Sequence, residues 1–405
     1  MRSIWKPSGL LLALALALAL CGCGSTTRIF VQPTPSPSGV SSANPQAPAA
    51  LAIPQDATKN TTRIDGADPT ADAAGVALAV YPSQGTGTHP QIVALAPTDD
   101  WQAALAASVL AAAPMKAPIL LSGTGSLPKA TATALTALAP TGSGPAGGSQ
   151  VIRIGDVPTP KAMRSHAITG NGPYALAEAI DQFQSAVSGR PSSDVMVASA
   201  ANAAYAMPAA GWAAESGDPI LFVSSSGVPG ATKQALLAHQ HPHIYILGPT
   251  SVISKTVAHE LAKYGTVNRI TGSNPSASSV AFATYRDPPC VKNQPCAHVP
   301  GSFGWALRSP GHGYVLLSQN RPLDAAAAAP LSDSGTFGAQ LVLDSASKLD
   351  PSILNFFLNY ATPGYTQEGP TAAVYNHAWV IGDESAVSVP VQAEVDTLLE
   401  AVPQR

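Results

Sequence analysis

The sequence predicts an α/β protein assembled from repeated units, on two observations. The run Pro118-Ile119-Leu120-Leu121-Ser122 recurs about a hundred residues later as Pro219-Ile220-Leu221-Phe222-Val223-Ser224. In both places a Pro opens a short apolar stretch that stops at small polar residues, the pattern of a strand buried on both faces. Ala-rich segments with helical spacing flank each run, and buried strands alternating with helices give parallel sheets covered by helices.

Taken in order, the pattern starts at Arg63-Ile64-Asp65-Gly66 and restarts at Ala167-Ile168-Thr169-Gly170 and Arg269-Ile270-Thr271-Gly272. A small-residue helix follows each start, then an apolar strand: Ile92 to Ala96, Val195 to Ser199 and Tyr314 to Ser318. Ala-rich helices begin near Trp101, Tyr205 and Leu323, and so many alanines imply close approach to a neighbouring element. The buried strand comes next, its third copy being Gln340-Leu341-Val342-Leu343-Asp344-Ser345. A further helix opens on Pro or Asp, which suit the first turn, and the unit closes on a strand ending at Gly155, Gly248 or Gly382. The expected modules are 61–166, 167–268 and 269–402.

Ahead of them, Arg2 and Lys6 precede the apolar run Leu10 to Leu20 and Cys21-Gly22-Cys23-Gly24-Ser25, the layout of a secretory signal. Leu20-Cys21-Gly22-Cys23 resembles the lipobox of bacterial lipoproteins, and the resemblance implies a signal peptide over 1–23 with Cys23 lipidated; Cys21 and an uncleaved anchor helix are the alternatives. The apolar run is shorter than the roughly 20 residues of a membrane-spanning helix. Residues 24–60 are rich in Ser, Thr, Pro and Ala, too polar and aperiodic to bury a core, and read as a tether. Such a chain faces the outside of the cytoplasmic membrane. Without Arg2 and Lys6 the 21 basic side chains fall to 19 against 24 acidic ones, a balance that argues against a nucleic-acid partner.

No catalytic set is legible. Gly142-Ser143-Gly144-Pro145-Ala146-Gly147 fits a dinucleotide-loop pattern but lies between a helix and a strand, the reverse of the order such a loop needs. His239, His241 and His243 read as solvated loop histidines, with a surface metal site as the rival. Asp99 or Asp100 reads as an N-cap of the helix at Trp101, or as an acid at a strand C-terminus. In a secreted protein the close pair Cys290 and Cys296 is most simply a disulfide stapling a Pro-rich excursion; a zinc site with His298 and His312 is the alternative. Trp305 and Tyr314 beside it are core aromatics or a sugar platform. No cofactor or metal is called for.

The succession R-I-x-G, strand, Ala-rich helix, A-P-I-L-L and Y-I-L-G resembles the bacterial cell-wall-binding repeat type 2 family, over nearly everything from Thr61 to Glu400. That resemblance implies three tandem modules in a pseudo-threefold arrangement, on a secreted protein that binds anionic polymer or peptidoglycan of the Gram-positive wall. Carried over by position, the family's binding motif falls on Pro118, Ile119, Leu120 and Leu121 and on Pro219, Ile220 and Leu221. Four apolar residues are also an ordinary core strand, which would leave recognition to the loop Ser122-Gly123-Thr124-Gly125. Where the family has Asp-Arg-Tyr, this chain has Asp68-Pro69-Thr70 and Asn274-Pro275-Ser276; its helix Asp is kept at Asp324 and is Ala103 and Tyr205 elsewhere. The expected function is a non-enzymatic envelope binding or scaffold lipoprotein. An envelope hydrolase or transferase using Asp99, Asp100 or Asp324, or a solute-binding lipoprotein, is the alternative.

Overall fold

Apolar strands separated by small-residue helices fold into three sheets. The computed structural model describes residues 55–85, 87–288, 302–305, 312–333, 338–361 and 376–400. The expected signal peptide with Cys23, the tether up to residue 54, and Cys290, Cys296 and His298 lie outside the described residues.

The first unit runs β1 (Gln55–Ala57), β2 (Thr61–Ile64), α1 (Pro69–Val80), β3 (Val93–Pro97), α2 (Trp101–Ala106) with a 3-10 turn (Ala107–Ala111), β4 (Ile119–Ser122), α3 (Lys129–Leu138) and β5 (Val151–Ile154). The second runs β6 (Ser165–Ile168), α4 (Pro173–Ser188), β7 (Asp194–Ser199), α5 (Ala203–Ala206), α6 (Pro208–Ser216), β8 (Ile220–Val223), α7 (Gly230–Ala238), β9 (His243–Leu247) and α8 (Lys255–Leu261). The third contains β10 (Thr266–Ile270), α9 (Pro275–Ala283), β11 (His312–Ser318), α10 (Leu323–Asp333), β12 (Gly338–Leu343), α11 (Pro351–Phe356), β13 (Asn376–Ile381) and α12 (Val389–Leu398). Helix starts follow the sequence signals. The Asp68 carboxylate accepts from Thr70 N at 2.8 Å, Asp100 from Ala103 N at 2.8 Å and Asn274 Oδ1 from Ala277 N at 2.7 Å, each satisfying a donor the first turn leaves open.

Sheet 1 has the order β4-β3-β5-β6, sheet 2 the order β8-β7-β9-β10, and sheet 3 the order β12-β11-β13-β2-β1. All neighbours are parallel except β1 against β2. The strand that follows β5 in sheet 1 and β9 in sheet 2 is therefore the opening strand of the next sequence unit. Sheet 3 obeys the same rule by taking β2, the opening strand of the first unit, so the exchange closes on itself: Ile381 pairs with Ile64 across most of the chain.

The opening helices interlock in the same cyclic sense. Helices α1, α4 and α9 pack on β4, β8 and β12 of their own units and against α10, α2 and α5 of the preceding units. The Ala-rich helices meet one another, α10 against α6 and α6 against the turn after α2. Ala325 to Ala329 have no solvent exposure at all. At the α6–α10 approach a Cβ on Gly211 would stand 2.7 Å from Ser332 Oγ and 3.0 Å from Gln340 Cγ, so the crossing demands a residue without one. Small side chains set how closely the three units seat together.

Candidate functional site

The C-terminal ends of the sheet strands are where the repeated motifs converge, and there most of the repeated polar residues hold the backbone. Gly155, Gly248 and Gly382 follow β5, β9 and β13 with φ of 65°, 100° and 98°, a conformation that favours glycine. In sheet 3, Arg63 donates through Nη1 to Gly382 O at 2.7 Å, through Nη2 to Val387 O at 2.6 Å and through Nε to Gln392 Oε1 at 2.8 Å. Arg269 repeats this in sheet 2, reaching Gly248 O at 2.7 Å and Ile253 O at 2.8 Å. The R-I-x-G arginine thus latches the outer strand of one sheet to the loop after its neighbour. In sheet 1 its position is Ala167, and the residue paired with it across the ladder, Arg153, reaches Val157 O at 3.1 Å instead. Arg63, at 2 % exposure, has no free face to offer a polymer.

The stretches singled out by the sequence occupy two different sheets. Ile119, Leu120, Leu121 and Ser122 form β4 and have no exposure, and Ile220 and Leu221 of β8 are buried in the same way. Pro118 and Pro219 precede them and supply carbonyls, to Ala94 N and Met196 N at 3.0 Å each. The following helix ties both strands down: Thr131 Oγ1 donates to Leu121 O and Thr232 Oγ1 to Phe222 O, each at 2.6 Å. Exposure begins beyond the strand, partly at Gly123 and fully at Thr124, Gly125 and Ser126. The second unit presents Ser225 and Ser226 there, and the third Asp344, Ser347 and Lys348. Ser224 Oγ meets Ser226 Oγ at 3.0 Å and accepts from Gly227 N at 3.2 Å, which shapes the second loop. Three short hydroxyl-bearing loops therefore sit at equivalent strand ends.

Where α1 of the first unit meets α10 of the third, the strand ends enclose a charged cluster. Asp72 and Asp324 have no solvent exposure, and Arg321 lies against both, bonding Asp72 Oδ2 through Nη2 and standing 2.9 Å from Asp324 Oδ2 through Nε. Asp72 Oδ1 accepts from Gly66 N at 2.9 Å, as Ser278 Oγ accepts from Gly272 N at 2.9 Å in the third module. Burial pushes both carboxyls up, Asp72 to about 9 with help from the charge on Asp324, while Arg321 opposes the rise. Burial thus favours the protonated form of each acid, and the one guanidinium facing both favours the ionised form. Sealed from solvent, the pair joins two modules and offers a substrate no approach.

Other candidates resolve as packing or caps. Asp100 is the N-cap of α2. Gly142 to Gly147 link α3 to β5, with Ser143 and Ser149 bridged. Trp305 is buried edge-to-face on Trp212 at 5.3 Å, and Tyr314 is buried against Phe356 at 5.5 Å. Of the three histidines expected to be solvated, His241 and His243 are exposed, His243 with Nδ1 3.2 Å from Asp194 Oδ1, whereas His239 is buried, with Nε2 2.8 Å from Asp181 Oδ2 and Nδ1 2.7 Å from Ser192 O. Its partner Asp181 lies on α4, 58 residues away in the chain, and no local pattern joins the two. No metal-holding group occurs among the described residues.

Three mostly parallel sheets in cyclic strand exchange, with Ala-rich helices between them, define the class of this protein: a three-module α/β assembly. Solved structures that share the fold include two from Clostridium difficile. Cwp6 from Clostridium difficile superposes with a TM-score of 0.64 at 16% identity over 86% of this chain and 51% of its own. Cwp8 from Clostridium difficile gives a TM-score of 0.60 at 17% identity over 84% and 52%. The chain spans about half the length of these structures. Residues 167–258 match the model of cell wall binding domain 2 (CWB2). No match was found among curated proteins.

Proposed function

We propose that the chain is a non-enzymatic scaffold lipoprotein of the cell envelope, anchored through Cys23, that binds an anionic wall glycopolymer at the loops following β4, β8 and β12. The observation that carries this reading is the recurrence of three exposed, hydroxyl-bearing loops at equivalent strand ends of a chain whose second unit matches the CWB2 family. Sugar hydroxyls and phosphates both pair with such side chains and with open backbone amides. Support against chemistry at these ends comes from the sealing of Asp72 and Asp324 and the capping role of Asp100. A disulfide between Cys290 and Cys296 belongs to the same picture of an exported protein.

The test is co-sedimentation of the protein with purified Gram-positive wall sacculi. Substituting Leu121 would cut into the core, so the informative variant is Thr124→Ala combined with Ser126→Ala and Ser226→Ala. Its sedimented fraction is expected to drop at least about fivefold, roughly 1 kcal/mol, at unchanged thermal stability. Failure of the unsubstituted protein to sediment with any wall fraction refutes the proposal.

A further inference from the structure

At the opposite, N-terminal ends of the sheet 2 strands, the second unit carries a cleft of about 760 Å³, a volume in the range that holds a small ligand. Its wall is built from buried polar side chains: Asp181, Gln184, Asp194, Asp218 and His239 are each less than a tenth exposed. Asp218 occupies the place that Ala117 holds before β4 of the first unit, so the acidic wall is a feature of this unit.

The side-chain donors in the buried part of this wall are already used. Ser192 Oγ donates to Asp218 Oδ1 at 2.5 Å, Trp212 Nε1 to Asp218 Oδ2 at 2.8 Å, Ser193 Oγ to Asp194 Oδ2 at 2.7 Å and Ser216 Oγ to Trp212 O at 2.8 Å. Both ring nitrogens of His239 are engaged with Ser192 O and Asp181. The acceptors are not used up, because each carboxylate has about four lone-pair sites. Gln184 adds an independent sign: its Nε2 donates to Ala113 O at 2.9 Å, which fixes the amide, and its buried Oε1 is left without a partner. A buried acceptor without a donor costs free energy until one arrives. On charge, four carboxylates line the cleft, the buried Asp181, Asp194 and Asp218 and the half-buried Glu215, against His239 and, at the rim, the exposed Arg190.

From this acceptor-rich, donor-poor wall we infer that the cleft is a binding site for a primary ammonium group carried on a small polar ligand of sugar or amino-acid size. The site goes beyond polymer binding at the strand C-termini and uses none of those loops. An ammonium has three donors and no acceptor, the complement of what the wall offers.

Isothermal titration of the full-length protein near neutral pH with D-glucosamine, L-lysine and N-acetyl-D-glucosamine tests it. One amine per chain should bind saturably, at least about tenfold tighter than N-acetyl-D-glucosamine, which has the same ring but no charge. Glucosamine ahead of lysine assigns an amino sugar; lysine ahead assigns an amino acid; either supports the ammonium site. Asp218→Ala, which installs the residue of the first unit, should weaken binding at least about tenfold. Because Asp218 also holds Ser192 and Trp212, Asp218→Asn is run alongside, with the melting curve confirming the fold. No saturable amine binding, equal affinity for N-acetyl-D-glucosamine, or full affinity in a folded Asp218 variant overturns the inference. The wall-sedimentation assay reads the other end of the sheets, so the two proposals fail separately.

Discussion

The residue pair that most constrains the chemistry of this chain is Asp72 with Asp324. Each is a carboxyl whose folded-state pKa is raised, chiefly by burial, so the folded state retains a proton that the unfolded state releases near the ordinary carboxylate value. The sign follows: stability is greatest in mild acid and falls as pH rises through the window from about 4, where the unfolded chain ionises, to about 9, where Asp72 ionises in the fold. His239, raised in pKa by Asp181 against the opposing effect of burial, acts in the same direction, its contribution present below the unfolded value and lost as pH rises. Thermal melts between mild acid and pH 9 should therefore show a declining melting temperature. Asp324→Asn separates the contributions: it leaves Asp72 alone with Arg321, so the decline should flatten and the variant should overtake the unsubstituted protein at the alkaline end. An unchanged slope in Asp324→Asn would dissociate the pair from the pH response. Neither residue's partner was legible in the sequence, since Asp72 and Asp324 are far apart in the chain and meet only because the first unit's helix packs on the third's.

At the scale of elements, strands and helices were largely legible and their exchange was not. Pro-Ile-Leu-Leu marked β4 and Pro-Ile-Leu-Phe marked β8 because a wholly apolar run bounded by Pro and Ser has few other uses, and Pro or Asp marked the starts of α3 and α11. Nothing local tells that β6, β10 and β2 leave their own units, because register with a neighbour depends on residues about a hundred positions away in the chain. In sheets 2 and 3 the arginine of R-I-x-G fastens the exchanged strand to the loop after its neighbour. Arg63→Ala removes three hydrogen bonds to buried acceptors, two of them main-chain carbonyls, and should cost about 3 kcal/mol. Arg269, half-buried with two bonds, should cost about 1 kcal/mol when replaced by Ala. Urea melts at constant m-value would measure both; equal losses, or none at Arg63, would reject the latch.

Across the whole molecule, strand exchange makes each sheet depend on the next unit, and the last on the first. β2 sits between β13 and β1, Asn60 N and Nδ2 reach Asp396 Oδ1 at 2.7 Å and Asp396 O at 2.8 Å, and Arg63 bridges to the loop after β13. Modules of independent stability would melt separately, as tandem domains joined only by linkers do. Here no unit can lose its opening strand without exposing the edge of another sheet, and the Ala-rich helices share one buried contact. Calorimetry should accordingly give one transition for the described body, with calorimetric and van't Hoff enthalpies in agreement. A chain shortened to remove residues 55–64 loses two strands of sheet 3 and the Arg63 latch together. Its remaining units should then melt at lower temperature along with sheet 3, even though sheets 1 and 2 keep all their own residues. Three resolved transitions in the intact chain, or unchanged melting of sheets 1 and 2 after that deletion, would show the modules to be energetically separate despite the shared strands.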